Sequence, residues 1–304
     1  MIVCPDCSGS VSSALTCSDC GWQGQYREGV PVLMSEAQQA DPIRQSYAEN
    51  YNQIATDDLQ EKVMDVRLVK NLAANFSQRV TGLPGAEVCE VGVGKGFLAR
   101  SLLARGAASV TAVDISLHYL SRLIGQPGIL PVMANAEALP FVDHFDIVVT
   151  TDVLEHVLNV GSFLYSVSRA LRANGHFYIR VPYRENLLPY APQLGCSYRL
   201  VHLRTYNRPL LKQALEDAGF AVERFCYDCY LPEAPRAFWN RSVLGRRIHK
   251  LFQNRLVNRG INGADVTLLP HGLRQFLLRP IELVAIARKV KNLKPMGGGA
   301  FDAT

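Results

Sequence analysis

The sequence predicts an α/β fold: a doubly wound, mostly parallel sheet, preceded by a small metal-binding module and followed by a basic helical extension. Three observations lead there. Strand-like and helix-like segments alternate from about Leu83 to Tyr230, the pattern that crossover helices impose on a parallel sheet. Two Cys-x-x-Cys pairs stand near the amino terminus, and Lys and Arg crowd the last quarter of the chain. With 304 residues, 48% of them hydrophobic, the chain can bury one substantial core and carry appendages. The expected plan is a ribbon over 1–34, a linker and helical lead-in over 35–82, the main domain over 83–232, the basic extension over 233–294 and a disordered tail over 295–304.

The first module is CPDCSGSVSSALTCSDCGW, in which Cys4 and Cys7, then Cys17 and Cys20, form the two pairs. Four thiolates on two tight turns can surround one Zn²⁺ tetrahedrally, and the metal supplies folding energy that so short a segment lacks. A site closed by four sulfurs has no open position, so its role is structural. REGVPVL, Arg27 to Leu33, completes the β-rich module. Disulfides are the alternative for such pairs, but MIVCPDC is no secretory leader, and a reducing compartment favours metal.

From Met34 to Gln60 the composition turns polar and reads as a linker, with Asp41-Pro42 as a helix start. Val63, Val66, Val69, Leu72 and Phe76 then mark an amphipathic helix over Glu61–Phe76. The strand candidates are Ala86–Val91, Ser109–Val113, Gly128–Met133, Phe145–Thr150, Gly175–Val181 and Ala221–Cys226. Helical patterns fall between several of them, at Phe97–Arg105, Leu117–Leu123, Val160–Ala173 and Pro209–Ala218.

VCEVGVGKGFLAR, Val88 to Arg100, places Gly92, Gly94 and Gly96 between the first of these strands and its helix. Glycines there let a ligand approach the backbone at the carboxyl edge of the sheet. The phosphate-loop pattern is not met, because Lys95 is followed by Gly96 and Phe97. The dinucleotide pattern fails too, since Phe97 stands three residues after Gly94. Asp114, ending the next strand in TAVDIS, is suited to accept both ribose hydroxyls of an adenosine.

Together these stretches resemble class I S-adenosylmethionine-dependent methyltransferases of the type 11/UbiE-like kind, whose sheet is Rossmann-like. EVGVGKG resembles that family's first motif, VDIS the second, ANAEALPF the third and FDIVVTTDVLEHV the fourth; LRANGHFYIRVP and LLKQALEDAGFAVERF resemble its later strands and helix. The similarity covers roughly residues 40 to 230. It implies that Glu90 and the Gly92–Gly96 backbone meet the methionine part of the cofactor. Asp114 would hold the ribose, with Ile115 beside the adenine and Asn135, Ala136 and Glu137 at its edge. Thr151 and Asp152 would lie near the reactive methyl. Asn135 stands where many relatives have an aspartate, and its amide oxygen is still able to accept a hydrogen bond from the adenine amine. A sulfonium and an amine suit acids such as Glu90, whereas a triphosphate would call for Lys and Arg.

Methylation of a hydroxyl also requires a base, and His156 in DVLEHV is the first candidate, His202 in YRLVHLRTYNRP the second. Tyr183, Arg184, Arg199, Arg204 and Tyr206 neighbour them in sequence, and the arginines are suited to an acidic or phosphorylated acceptor. Cys226 and Cys229 form a third pair without further ligands and read as structural or free thiols.

From Arg236 onward thirteen Lys and Arg face three acids, leaving nineteen against twenty-four in the rest, for a net charge of +5. Arg241–Asn258 and the segment from Leu273 to Leu293, the latter interrupted by Pro280, read as basic amphipathic helices that cap the core or rest on an anionic membrane. No uncharged apolar run reaches the ~18 residues of a membrane span. The expectation is a cytoplasmic enzyme, peripheral at the inner face of the membrane, that O-methylates a small or lipid-linked, saccharide-like acceptor. The competing expectations are an RNA base methyltransferase, favoured by the basic tail, and a non-catalytic scaffold docked through the zinc ribbon.

Overall fold

The computed structural model describes residues 1–61, 66–185, 202–231, 242–245, 247 and 279–291. Its centre is a sheet of nine strands among these residues, in the order β1-β2-β5-β4-β3-β6-β7-β9-β8. The parallel strands are β3 (Glu87–Val91), β4 (Ser109–Asp114), β5 (Ile129–Met133), β6 (Phe145–Thr151) and β7 (Leu171–Pro182). From β3 the chain winds outward through β4 to β5, then returns to β6 on the other side of β3. Ligand crevices in open α/β sheets form at such a reversal, beyond the carboxyl ends of the strands.

The apolar residues of these strands are buried on both faces, as a covered parallel sheet requires. Cys89, Val91, Val113 and Val148 pack into one layer, and Val88, Val110, Ala112 and Val149 into the other. Helices α4 (Phe97–Ala104), α6 (Val160–Ala170) and α7 (Arg208–Asp217) lie between strands. The helix expected to run to Ala173 stops at Ala170, because fully buried Leu171 turns extended and pairs with Phe145.

The linker reading of the lead-in gives way to helix. Ser35 caps α1 (Glu36–Ala40) with a reciprocal capping box to Gln38, and Asp41 caps α2 (Pro42–Leu59), with Pro42 at its first position. Helix α3 (Val66–Ser77) carries the expected apolar periodicity from Val66 onward, whereas Glu61 stands in a turn and Val63 lies outside the described residues. The short α5 (Leu117–Leu120) continues as a 3-10 turn through Leu123.

The amino-terminal module joins the main sheet. Strands β1 (Gln25–Arg27) and β2 (Val30–Val32) form a hairpin, and Val32 pairs in parallel with Met133 of β5. Val3 N–H donates to Pro140 O at 3.0 Å, and Cys4, Leu15, Cys17 and Trp22 share a core layer with Phe141 and Phe145.

The second basic helix is corrected. Arg279–Lys289 is a strand, β9, lying antiparallel between β7 and β8 (Phe220–Leu231). Leu283, Ala285 and Ala287 face one core layer, Val284 and Ile286 the other. A strand buried on both faces gives a continuous apolar run, which periodicity alone does not separate from a buried helix. Lys289, 4% exposed, is held by Leu171 O at 2.6 Å and Asp143 at 3.2 Å. The domain boundary expected at residue 232 therefore cuts the sheet. Apart from 242–245 and 247, the Arg241–Asn258 helix lies outside the described residues, as do Arg199 and the 295–304 tail. No helix among the described residues is long and apolar enough to cross a membrane.

Leu283→Ala is expected to lower the unfolding free energy by about 2–5 kcal/mol in urea titrations, the cost of a core truncation. The same change at exposed Val243 should stay within about 0.5 kcal/mol.

Candidate active site

The carboxyl ends of β3, β4, β5 and β6 open onto a cleft with about 870 Å³ of empty space, part of it open to solvent. Its floor is the glycine turn. Gly92 adopts φ +77°, and a Cβ there would sit 2.2 Å from Val153 Cγ2. Gly94, at φ +49°, faces open space, and Gly96 at φ +70° begins α4 against Leu123. Gly92 and Val93 both donate to Val113 O, at 2.8 and 3.1 Å.

Asp114 is fixed on two sides. Its Oδ2 accepts from Gly94 N–H at 3.1 Å and its Oδ1 from Ser116 N–H at 2.9 Å. Burial raises its carboxyl pKa, and these backbone donors oppose the rise. Ile115 and Tyr119 flank it on the cleft wall.

Asn135, Ala136 and Glu137 form the next stretch of wall. Asn135 Oδ1 accepts from Glu137 N–H at 3.0 Å, while its buried Nδ2 has no protein partner. The group Asn135 offers is thus a donor, suited to an adenine ring nitrogen, whereas the sequence suggested an acceptor for the adenine amine. Glu137 Oε1 is taken up by Leu158 and Asn159 N–H at 2.7 and 3.1 Å.

Glu90, Gly96 and Thr151 lie beside the cleft without lining it. Glu90 is 2% exposed, and its Oε2 lacks a hydrogen-bond partner. Burial raises its pKa well above the usual carboxylate range. Asp152 does line the cleft, at φ +57°, and pairs with Arg180.

His156 lines the far end, and its ring packs edge-on against His202 with centroids 4.5 Å apart. His202 Nδ1 is hydrogen-bonded to Glu185. Arg204 donates to the carbonyls of Leu154, Val157 and Leu158. It braces the turn that carries His156, where the sequence suggested an acceptor ligand. Tyr183 and Tyr206 bridge neighbouring segments, and Arg184 stacks on Tyr183. Cys226 is a free thiol, half-buried, and the side chain of Cys229 lies outside the described residues.

The sequence reading missed the roof. Tyr47, Tyr51 and Ile54 of α2 line the cleft, and Tyr47 Oη donates to His156 O at 2.7 Å. Burial pushes the Tyr47 phenol up to about 12. Their spacing of four and three residues was the available signal, one face of a helix.

In the ribbon, Cys4 and Cys20 Sγ lie 3.5 Å apart, as do Cys7 and Cys17 Sγ. All four sulfurs fall within 4.8 Å of one another. A tetrahedron with ~2.3 Å Zn–S bonds has edges of about 3.8 Å, so the set fits one Zn²⁺. Asp6 and Gly9 N–H point at Cys4 and Cys7 Sγ at 3.4 Å, which favours thiolate.

Known proteins share this domain. A family model described as a methyltransferase domain matches residues 47–224. A Mycobacterium tuberculosis protein named "probable S-adenosylmethionine-dependent methyltransferase" is 32% identical over 145 residues, 46% of this chain and 50% of that protein. A Proteus mirabilis ubiquinone biosynthesis O-methyltransferase is 28% identical over 152 residues, 47% and 61% of the two chains. The chain spans about half the length of the first of these relatives. A chain of the Haloferax volcanii Trm112 methyltransferase activator complex shares the fold, with TM-score 0.57 at 17% identity, over 82% of this chain and 99% of that one.

Gly92→Ala should cost about 1–3 kcal/mol of stability in denaturant titration, since both φ and Val153 oppose it, and Gly94→Ala about 1 kcal/mol, since only φ does. Elemental analysis is expected to give about one zinc per chain. Because Cys4 and Cys17 belong to the core layer, chelation should lower the melting temperature of the whole protein in one circular-dichroism transition.

Proposed function

The chain belongs to the methyltransferase-domain family, and from that premise we propose that it is an S-adenosylmethionine-dependent methyltransferase acting on a hydroxyl of a small or lipid-linked, saccharide-like acceptor. The observation that carries the reading is the joint placement of Gly94, Asp114 and Asn135 on one cleft wall, at the reversal of the strand order. Bound there, the cofactor supplies a methyl group on a sulfonium, an electrophile that needs only an aligned nucleophile.

The residues divide that work. Asp114, already oriented by two backbone donors, presents its carboxylate to a ribose diol. Asn135 Nδ2 is available to a base nitrogen, and Gly94 lets the ligand lie close to the turn. Tyr47 and Tyr51 cover the cleft with aromatic surface, so the reacting groups are kept from bulk water.

Oxygen is favoured as the accepting atom because imidazole stands at the far end of the cleft. A neutral amine attacks a sulfonium without prior proton loss, whereas a hydroxyl gains from a base whose pKa is near neutrality. The Proteus mirabilis relative is itself named an O-methyltransferase. Lipid linkage is supported by the basic last quarter, whose excess of ten positive charges suits an anionic interface. The ribbon would hold structural zinc.

Asp114→Ala should weaken S-adenosylhomocysteine binding by about thirtyfold or more in calorimetry, the loss of a charge-assisted hydrogen bond worth on the order of 2 kcal/mol. Asp114→Asn, which keeps the side chain's shape, should lose less. Unchanged affinity in the alanine variant would reject the assigned site. Labelled methyl transfer into a lipid extract, with none into RNA, is the expected outcome of an acceptor screen.

A further inference from the structure

At the far end of the cleft His156 and His202 stand in one cluster with Glu155, an acid that the reading above does not use. Glu155 follows β6 and is fully buried, and neither carboxylate oxygen receives a hydrogen bond. His156 Nε2 stands 3.8 Å from its Oε1. One ligand atom from each of Glu155, His156 and His202 lies within 4.8 Å of the others. We propose that these three residues bind a divalent transition-metal cation at the acceptor end of the cleft, with Glu185 orienting His202.

Two features set this cluster apart from an ordinary acidic patch. The first is the burial of Glu155. A carboxylate withdrawn from water without donors is costly, and an acid that stays ionised inside a protein needs a cation or hydrogen bonds. Among the ion pairs of the described residues, the one formed by Glu155 is with His156. Arg180, the nearby guanidinium, pairs with Asp152 and stands 4.0 Å from Glu282.

The second is the arrangement around His202. Its Nδ1 faces the Glu185 carboxylate, which fixes the tautomer presenting Nε2 as a ligand. A carboxylate behind a ligating imidazole is the usual support for a metal-bound histidine. Leu203 N–H donates to Glu155 O at 2.9 Å, so the segment carrying His202 is tied to the turn carrying the other two residues.

Two imidazoles and one carboxylate select borderline cations such as Mn²⁺, Fe²⁺, Co²⁺ or Zn²⁺ over Mg²⁺ or Ca²⁺, and leave coordination positions open. His156 lines the cleft, so those positions are within reach of a bound acceptor. A cation there takes over the part that the reading above gives to a free imidazole: it orients an oxygen ligand and lowers the pKa of a coordinated hydroxyl, while the imidazoles serve as ligands. Resting on the methyltransferase reading, this narrows the acceptor class to molecules with two adjacent oxygens able to chelate: a vicinal diol, a catechol or a 2-hydroxy acid.

The test uses the full chain with its zinc bound, titrated with Mn²⁺ and followed by the electron paramagnetic resonance signal of free Mn²⁺. S-adenosylhomocysteine affinity is measured on the same samples. One equivalent of Mn²⁺ is expected to bind. Glu155→Gln and His202→Ala should each weaken it by at least about tenfold, and Glu185→Gln by about 10–100-fold, with S-adenosylhomocysteine affinity retained. A wild-type protein that binds S-adenosylhomocysteine but no Mn²⁺ would overturn the site, and Glu155 would then be a neutral buried acid. Mn²⁺ binding untouched by all three variants would overturn it equally, by placing the ion elsewhere. Mn²⁺ binding that depends on these residues, in a protein that ignores S-adenosylhomocysteine, would support the cation site while removing the methyltransferase reading.

Discussion

Most of the architecture around the cleft depends on one turn that has no room for a side chain at Gly92 or Gly96. Leaving β3, the chain must pass between the end of β4 and the turn after β6, and Gly92 makes the passage with Val153 occupying the space of a missing Cβ. The hydrogen bonds from Gly92 and Val93 to Val113 O and from Gly94 to Asp114 then pin that turn to β4. One backbone path therefore sets three positions. It aims Asp114 across the cleft, starts α4 at Gly96, and holds the 152–157 turn against the sheet edge. A larger residue at Gly92 would displace Val153, and through it the segment between Asp152 and His156.

The roof is held by different means. Of the residues in α2, Ala55 is the buried one, so little of its stability comes from apolar burial. It is latched by polar contacts: Tyr47 to His156 O, Ser116 Oγ to Asn52, Tyr119 Oη to Asp58, and Lys95 to Asp58 at 2.9 Å. Each such bond contributes about 1 kcal/mol net, and elements held this way open at lower cost than core strands. Admission of a cofactor at this face asks less of the structure than any movement of the sheet.

The parts of this molecule that were legible in the sequence are those whose signals are local. A glycine turn between a strand and a helix, an acid ending the next strand, and two paired cysteines each announce their geometry within a few residues. The ninth strand was not legible in that way. Its partners, β7 and β8, lie on average far from it in the chain, and its run of alternating layers, Leu283 to Ala287, has the same composition as a buried helix. The roof was hidden for another reason: Tyr47, Tyr51 and Ile54 sit among polar residues whose composition suggested a linker. Nor could spacing reveal that Asn135 spends its carbonyl oxygen on Glu137, or that Arg204 braces the turn it neighbours, since both follow from contacts formed only on folding.

The buried polar groups that the folded chain leaves unsatisfied include three acids. Glu90, Glu155 and Glu282 have pKa values raised well above the carboxylate range, in each case chiefly by burial. An acid whose pKa is higher folded than unfolded holds more protons in the folded state. Its contribution to stability is present below the unfolded value and lost as pH rises through the folded one. At neutral pH these three therefore work against the fold. Two of them, Glu155 and Glu282, lie near Asp152, and Glu90 lies behind the glycine turn. A sequence selected for stability alone would place apolar residues at such positions. Local violations of that rule collect where a protein must meet charge, and here they bracket a cleft suited to a cationic methyl donor.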